Sequence, residues 1–550
     1  MPSMQLKALL ALLPFLALAQ SETDSCEPSV DLANGTYVGV SNEHYAQEFF
    51  LGIPYAQPPT GSLRFASPKP LTEAFEEPRD ATAYGNSCIG YGADTLGLDT
   101  PLSEDCLNLN VVRPEGTQPG DDLPVGIWVH GGSYVTGGSS DSRYNLSKIV
   151  DQSVQEGKPI IGVSINYRLS YWGFLFSEEM DAAGAGNVAF KDQRLAFQWI
   201  HDNIAAFGGS ADKVTIWGES AGARSLGMQL IGYEGKYDNL FRSAILESGS
   251  PVAQFVGAEE WQPYFDYVVE KTNCSSADDH LDCLREVPWQ ALNAIFNGTT
   301  PSDVKIPFFS AVIDGDFITA QATELLAAGK FAHVPLLLGN NHDEGTAYGK
   351  QGINTTEQFQ DYVASFSLNS SQVDELTTLY PDDPAVGIPP SYIGRPEAYP
   401  FGLQWKRVAA FAGDFQQHAG RRLLAETYAG AGLDVYSYIW NVYVNGIPAI
   451  RGATHFQEVA FVFNDVSSSE FDGKPETFVQ LADLMSKMWV HFMHDTEPNY
   501  DDAYNATTWP KYTLDQPDNI VFDVNRTGLT YVEKDDYRKN EIAYLQTEVY

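Results

Sequence analysis

Three kinds of residue in this chain are spaced so that they could cooperate in attacking a carbonyl group. Ser220 stands in Gly218-Glu219-Ser220-Ala221-Gly222, directly behind the β-favouring run Val214-Thr215-Ile216-Trp217, and Ala221 to Ile231 reads as a helix. Gly-x-Ser-x-Gly between a strand and a helix marks a tight turn that lifts the hydroxyl above a sheet. The same turn aims the partial positive charge of a helix N-terminus at it. The pattern alone is weak, because a glycine turn around an uninvolved serine has the same letters. A serine hydroxyl is a poor nucleophile at neutral pH and needs a base, an acid that orients the base, and donors for the oxyanion. Downstream, Gly339-Asn340-Asn341-His342-Asp343-Glu344-Gly345 follows a strand, and Gly452-Ala453-Thr454-His455 lies in a glycine-bounded loop. The order serine, acid, histidine makes His455 the base and leaves Asp343 and Glu344 as alternative acids.

Groups so far apart in sequence need a frame that brings them together. Val125 to Val129 and Ile160 to Asn166 are apolar runs of buried-strand type. Val214 to Trp217, Ala244 to Leu246, Leu336 to Leu338 and Val435 to Trp440 continue the series. Asn187 to Ile204 carries apolar residues on one helical face. Strands alternating with helical segments predict a central, mostly parallel sheet covered by helices on both faces. Tyr380 to Pro400, rich in Pro and Tyr, reads as a surface excursion near the site.

The chain has 550 residues, and 72 acidic against 33 basic side chains give a formal charge of -39. Such a surface argues against nucleic acid and anionic membrane as partners. Residues 1–19 combine a weakly basic start, an apolar run and Ala17-Leu18-Ala19, the pattern of a signal peptide. No other stretch is apolar enough to span a membrane, so the expected product is secreted. Five cysteines fit an oxidising compartment; neighbours in sequence pair as Cys88 with Cys106 and Cys274 with Cys283, leaving Cys26 odd. Glycosylation sequons begin at Asn34, Asn145, Asn273, Asn297, Asn354, Asn369, Asn505 and Asn525. His491 and His494 lack the further ligands of a metal site, so neither metal nor cofactor is expected.

Glu104 to Val111, the Gly218 to Gly222 turn, Asp343-Glu344-Gly345 and Gly452 to His455 together resemble the type-B carboxylesterase and lipase family, from about Tyr37 to about His494. That family includes fungal secreted lipases and carboxylesterases as well as cholinesterases. The resemblance implies an α/β-hydrolase fold and, over residues 20–550, one catalytic domain, although length alone suggests three or four. It implies a carboxylic ester hydrolase acting through an acyl-Ser220 intermediate, with His455 as base and Glu344, rather than Asp343, as orienting acid. Backbone amides of Gly132, Ser133 and Ala221 form the implied oxyanion hole; Ser133 stands where the family usually has a third glycine. Glu219 lies near the site, Phe308 and Phe309 line a pocket, and the ion pairs Arg64–Glu104 and Arg168–Asp192 fix nearby loops. The substrate would be a small-molecule or lipid ester. The alternatives are a triacylglycerol lipase on the same fold and a non-catalytic, cholinesterase-like binding protein. The seventeen residues between Cys88 and Cys106 hold three glycines and a proline, poor material for the amphipathic flap of the lipases. The site is therefore expected to stand open in water.

Overall fold

The computed structural model describes residues 27–466, 475–501 and 504–550. The segment 1–19 and Cys26 lie outside these. Eleven strands make one sheet: β1 (Val40–Asn42), β2 (Gln47–Pro54), β3 (Asn108–Pro114), β4 (Leu123–Val129), β5 (Ile161–Ile165), β6 (Gly209–Glu219), β7 (Ser243–Glu247), β8 (Leu336–Asn341), β9 (Val435–Trp440), β10 (Asp518–Phe522) and β11 (Thr530–Lys534). They lie side by side in the order β11-β10-β9-β8-β7-β6-β4-β5-β3-β2-β1. The seven strands from β5 to β10 pair in parallel, and antiparallel strands flank them at both ends. β10 and β11 escape a sequence reading because short runs such as Ile520-Val521-Phe522 carry little periodicity and sit among turn residues.

Seven helices matter to the site: α1 (Ala93–Leu96), α2 (Leu146–Gln155), α3 (Val188–Asn203), α4 (Ala221–Ile231), α5 (Trp405–Gly413), α6 (Ala419–Gly430) and α7 (Glu476–Asp495). Strand alternation sorts the core into two layers. Val125, Ile127, Ile216, Leu246, Leu336 and Leu338 face α3, α4 and α6. Trp128, Trp217, Ile245 and Leu337 face α2 and α7. Because both faces are covered, the strands read as unbroken apolar runs. Gly126 lets α7 close onto the sheet: a Cβ there would stand 2.8 Å from the sulfur of Met493.

The expected covalent and ionic ties form. Cys88 is bonded to Cys106 and Cys274 to Cys283. Arg64 grips Glu104 with two bonds of 2.6 and 2.8 Å, and Arg168 grips Asp192 with bonds of 2.8 and 2.7 Å. Both pairs are buried. Their role is to hold loops in place, since burying a pair costs about as much as its attraction returns.

Candidate active site

The parallel register delivers the chemistry to one end of the sheet. β6 runs into Ser220 and α4 leaves it, so Ser220 must reverse the chain in one residue. It does so at φ 56° and ψ -122°, a conformation that costs a non-glycine residue about 1–3 kcal/mol. The turn holds because its neighbours are glycine: a Cβ on Gly222 would lie 1.9 Å from the carbonyl oxygen of Val129, and one on Gly218 2.6 Å from the same atom. The Ser220 amide donates to the Glu247 carbonyl at 2.9 Å, which ties the turn to β7.

His455 and Glu344 arrive from the ends of β9 and β8. Ser220 Oγ lies 2.9 Å from His455 Nε2, and His455 Nδ1 donates to Glu344 Oε2 at 2.7 Å. The other oxygen of Glu344 accepts from the Ser248 hydroxyl at 2.5 Å and from the Asn341 amide at 2.8 Å. Asp343 turns elsewhere. One of its oxygens meets His342 Nδ1 at 2.9 Å, and the other accepts from the Ala453 amide at 2.8 Å. It fastens the histidine loop, while Glu344 holds the histidine. His130 is buried, shares Nδ1 with the Gly131 carbonyl at 2.9 Å and stacks on Tyr167; burial pulls its pKa down to about 4, so it is neutral.

Four glutamates crowd behind this line: Glu219, Glu247, Glu344 and Glu458, each no more than 1 % exposed. Register explains the crowding, because Glu219 on β6 pairs directly with Glu247 on β7. Glu247 accepts from the indoles of Trp217 and Trp489 at 2.5 and 2.6 Å, and burial pushes its pKa up to about 8. Glu458 accepts from Asn341 at 2.5 Å and is pushed up to about 7 by burial and by Glu344. Glu219 Oε1 stands 3.1 Å from His455 Nε2. Burial lowers the proton affinity of the imidazole, but Glu219 and Glu344 outweigh it, and the His455 pKa is pushed up to about 9. Burial also lifts Glu219 well above the usual carboxylate range. Glu219 and His455 face each other across that gap, so the charge on either one changes the proton affinity of the other.

Gly131 backs against the nucleophile: a Cβ on it would sit 3.0 Å from Ser220 Cβ. Gly132 at φ 101°, Ser133 at 54° and Tyr134 at 63° form a run of left-handed residues. None of the amides of Gly132, Ser133 or Ala221 donates to another group among the described residues. This strand-end loop is tied to the Cys88–Cys106 loop. The Thr95 amide donates to Thr136 Oγ1 at 2.8 Å, the Gly137 amide to Thr95 Oγ1 at 3.1 Å, and the Tyr91 amide to the Val135 carbonyl at 2.5 Å. One helical turn, α1, forms in the loop despite its glycines. Its Thr95 is buried and its Leu96 is 81 % exposed.

Phe309 packs half-buried against Tyr171 and Trp261, with ring centroids 5.0 and 5.9 Å apart. Phe308 is 80 % exposed and stacks on Phe366. His491 stacks on Tyr500, and His494 lies 2.7 Å from Asp495. Among the described residues, no cluster of three or more His, Cys, Asp or Glu is arranged to hold a metal ion. Sequence reasoning missed Ser248 and Glu458. Glu458 carried a weak signal, three residues after His455; Ser248 carried one only through the adjacency of β6 and β7.

Residues 27–544 match the model of the carboxylesterase family. The chain is 35 % identical to Lipase 4 of Diutina rugosa, covering 95 % of this chain and 96 % of that protein. It is also 35 % identical to Secreted lipase 1 of Botryotinia fuckeliana, covering 90 % and 88 %. The crystal structure of Aspergillus niger EstA superposes with a TM-score of 0.82 at 27 % identity, over 95 % of this chain and 99 % of that one.

Proposed function

The chain belongs to the carboxylesterase family and is a carboxylic ester hydrolase of α/β-hydrolase fold, and from that premise we propose that Ser220, His455 and Glu344 are its catalytic triad. The observation that carries this is the unbroken line of polar contacts from Ser220 Oγ through the imidazole to Glu344. Ser220 Oγ attacks the ester carbonyl as His455 Nε2 takes its proton, and the same proton then passes to the leaving alcohol. Water activated by His455 cleaves the acyl-Ser220 ester. The amides of Gly132, Ser133 and Ala221 receive the oxyanion, since they point to no other acceptor. The test of the assignment is loss of turnover on replacing Ser220, argued in the Discussion.

The proposal extends to the whole chain. Residues 1–19 act as a signal peptide, residues 20–550 form one catalytic domain, and the enzyme works outside the cell. Among the described residues, no helix is long and apolar enough to cross a membrane. Of the sequon asparagines, Asn145, Asn273, Asn297, Asn369, Asn505 and Asn525 are exposed and Asn34 and Asn354 half-buried, which favours the first six as glycan sites. Glu219 acts from beside the nucleophile, and Phe308 and Phe309 line the pocket.

The rate should carry the mark of Glu219. His455 accepts the serine proton only when neutral, so kcat/KM rises as the pH climbs toward about 9. Glu219→Gln keeps the shape and removes the charge that helps hold the proton on the imidazole. The midpoint of the pH–rate limb should move toward acid; an unmoved limb would remove Glu219 from this role.

The relatives' names raise a second reading, a lipase, and activation at an oil surface would need a lid that opens. The ties of Thr95 and Tyr91 to the loop of Gly132 oppose it, because a lid that opens must break them. Tributyrin turnover should saturate smoothly below its solubility limit. A steep rise only once droplets form would show that a lid moves.

A further inference from the structure

A polar cluster stands beside His455 that the mechanism above does not use. Tyr348 lays its ring against the imidazole, with centroids 4.9 Å apart, and its hydroxyl is met by Gln417 Nε2 at 2.9 Å. Gln417 is 2 % exposed, and its Oε1 has no hydrogen-bond partner among the described residues. The next carbonyl back, that of Gln416, accepts from the Arg224 guanidinium at 2.5 Å. Arg224 lies one turn along α4 from the nucleophile, and its amide donates to the Ser220 carbonyl at 2.8 Å. The buried arginines Arg168 and Arg421 hold carboxylates; the half-buried Arg224 holds only this carbonyl among the described residues.

The Tyr348 and Gln417 side chains meet, and Arg224 is tied to the same turn through the Gln416 carbonyl, because the helix from Trp405 to Gly430 is interrupted. Between α5 and α6, residues Asp414–His418 form a π turn. It presents the Gln416 carbonyl to α4 and the Gln417 side chain to the turn that follows Glu344. Such interruptions weaken a helix and concentrate where a side chain has been re-aimed for function.

We propose that Tyr348, Gln417 and Arg224 form a subsite that recognises a hydroxyl group carried by the ester substrate, a reading that rests on Ser220 and His455 being the reacting pair. The chemistry follows from counting donors and acceptors. A phenol has one hydrogen to give and can accept; a carboxamide has a donating end and an accepting end. One bond joins them. With Nε2 facing the phenol, the phenol proton and Oε1 remain free. With the amide reversed, the phenol oxygen and Nε2 remain free. Either way the pair offers at least one donor and one acceptor, and an alcohol hydroxyl answers both. A carboxylate only accepts, and the protein's charge of -39 opposes it further. An ammonium only donates and would lie beside Arg224. A substrate methyl group would leave the buried amide oxygen unpaired, which is costly in an enclosed site.

The test pairs esters that differ by a hydroxyl in place of a methyl: 2-hydroxyethyl butyrate against propyl butyrate, and ethyl 3-hydroxybutyrate against ethyl 3-methylbutanoate. The first pair places the hydroxyl on the alcohol and the second on the acyl group. Turnover of propyl butyrate that disappears in Ser220→Ala confirms the reacting residue independently of the subsite. The wild-type enzyme should favour the hydroxylated member of at least one pair by about tenfold in kcat/KM. Tyr348→Phe keeps the ring on His455 and should bring that ratio to about one, and Arg224→Met should reduce it. Ratios near one for both pairs in the wild type would overturn the subsite, as would a preference that survives in Tyr348→Phe. Faster hydrolysis of monoethyl succinate than of either hydroxylated ester would overturn the choice of a hydroxyl.

Discussion

Ser220→Ala should lower kcat on p-nitrophenyl butyrate by roughly 10⁴- to 10⁶-fold while the protein stays folded. The substitution deletes one oxygen and leaves the turn intact. The Ser220 amide still reaches the Glu247 carbonyl, and alanine meets the same backbone strain at φ 56° that serine does. The small residual rate comes from the oxyanion donors and from binding. Melting curves of the two proteins should coincide within a few degrees, which separates lost chemistry from lost fold. More than a few per cent of wild-type activity in a folded Ser220→Ala protein would mean that another residue attacks the ester.

Glu344→Gln should cost about 10³- to 10⁴-fold in kcat, far more than Asp343→Asn. The Glu344 carboxylate accepts three hydrogen bonds, from His455 Nδ1, the Ser248 hydroxyl and the Asn341 amide. An amide cannot accept all three. If its oxygen faces the histidine, its NH₂ confronts the amide of Asn341; if reversed, the imidazole loses the acceptor that fixes its tautomer. Either arrangement removes the countercharge on the Nδ1 side of the imidazolium. Asp343→Asn disturbs the fold instead, because Asp343 is fully buried and holds the Ala453 amide two residues before His455. Its cost should appear in thermal stability before kcat. Equal kcat losses in the two variants would overturn this division of labour.

Local sequence carried the parts of the site that depend on local geometry. The strand, the glycines and the helix around Ser220 are all within ten residues of it, so the turn could be read directly. The order of serine, acid and histidine followed because parallel strands deliver their C-terminal ends to one edge. The choice between Asp343 and Glu344 was not local. It depends on which carboxylate meets a loop more than a hundred residues away, and only a family resemblance favoured Glu344. Ser248 and Glu247 were invisible for the same reason: their roles come from the pairing of β6 with β7, which no single segment encodes. Gln417 needed more still, since an ordinary α-helix from Trp405 to Gly430 would aim it elsewhere. The aromatic pair separates in the fold: Phe309 packs on Tyr171 and Trp261, and Phe308 faces outward onto Phe366. Tyr380 to Pro400 was legible as an excursion near the site: Ser391 bonds to the Ala449 carbonyl at 2.7 Å, in the loop that leads to His455.

The close seat of Met493 on Gly126 makes the protein's lifetime a matter of redox chemistry as well as heat. The thioether is wholly buried, so a peroxide reaches it only when α7 lifts from the sheet. Once oxidised, the side chain carries an extra polar oxygen into a buried apolar contact, which should oppose the return of the helix to its place. Each opening in the presence of oxidant therefore risks becoming permanent. Met493 sulfoxide, followed by mass spectrometry under peroxide, should rise with the fraction of time that α7 spends away from the sheet.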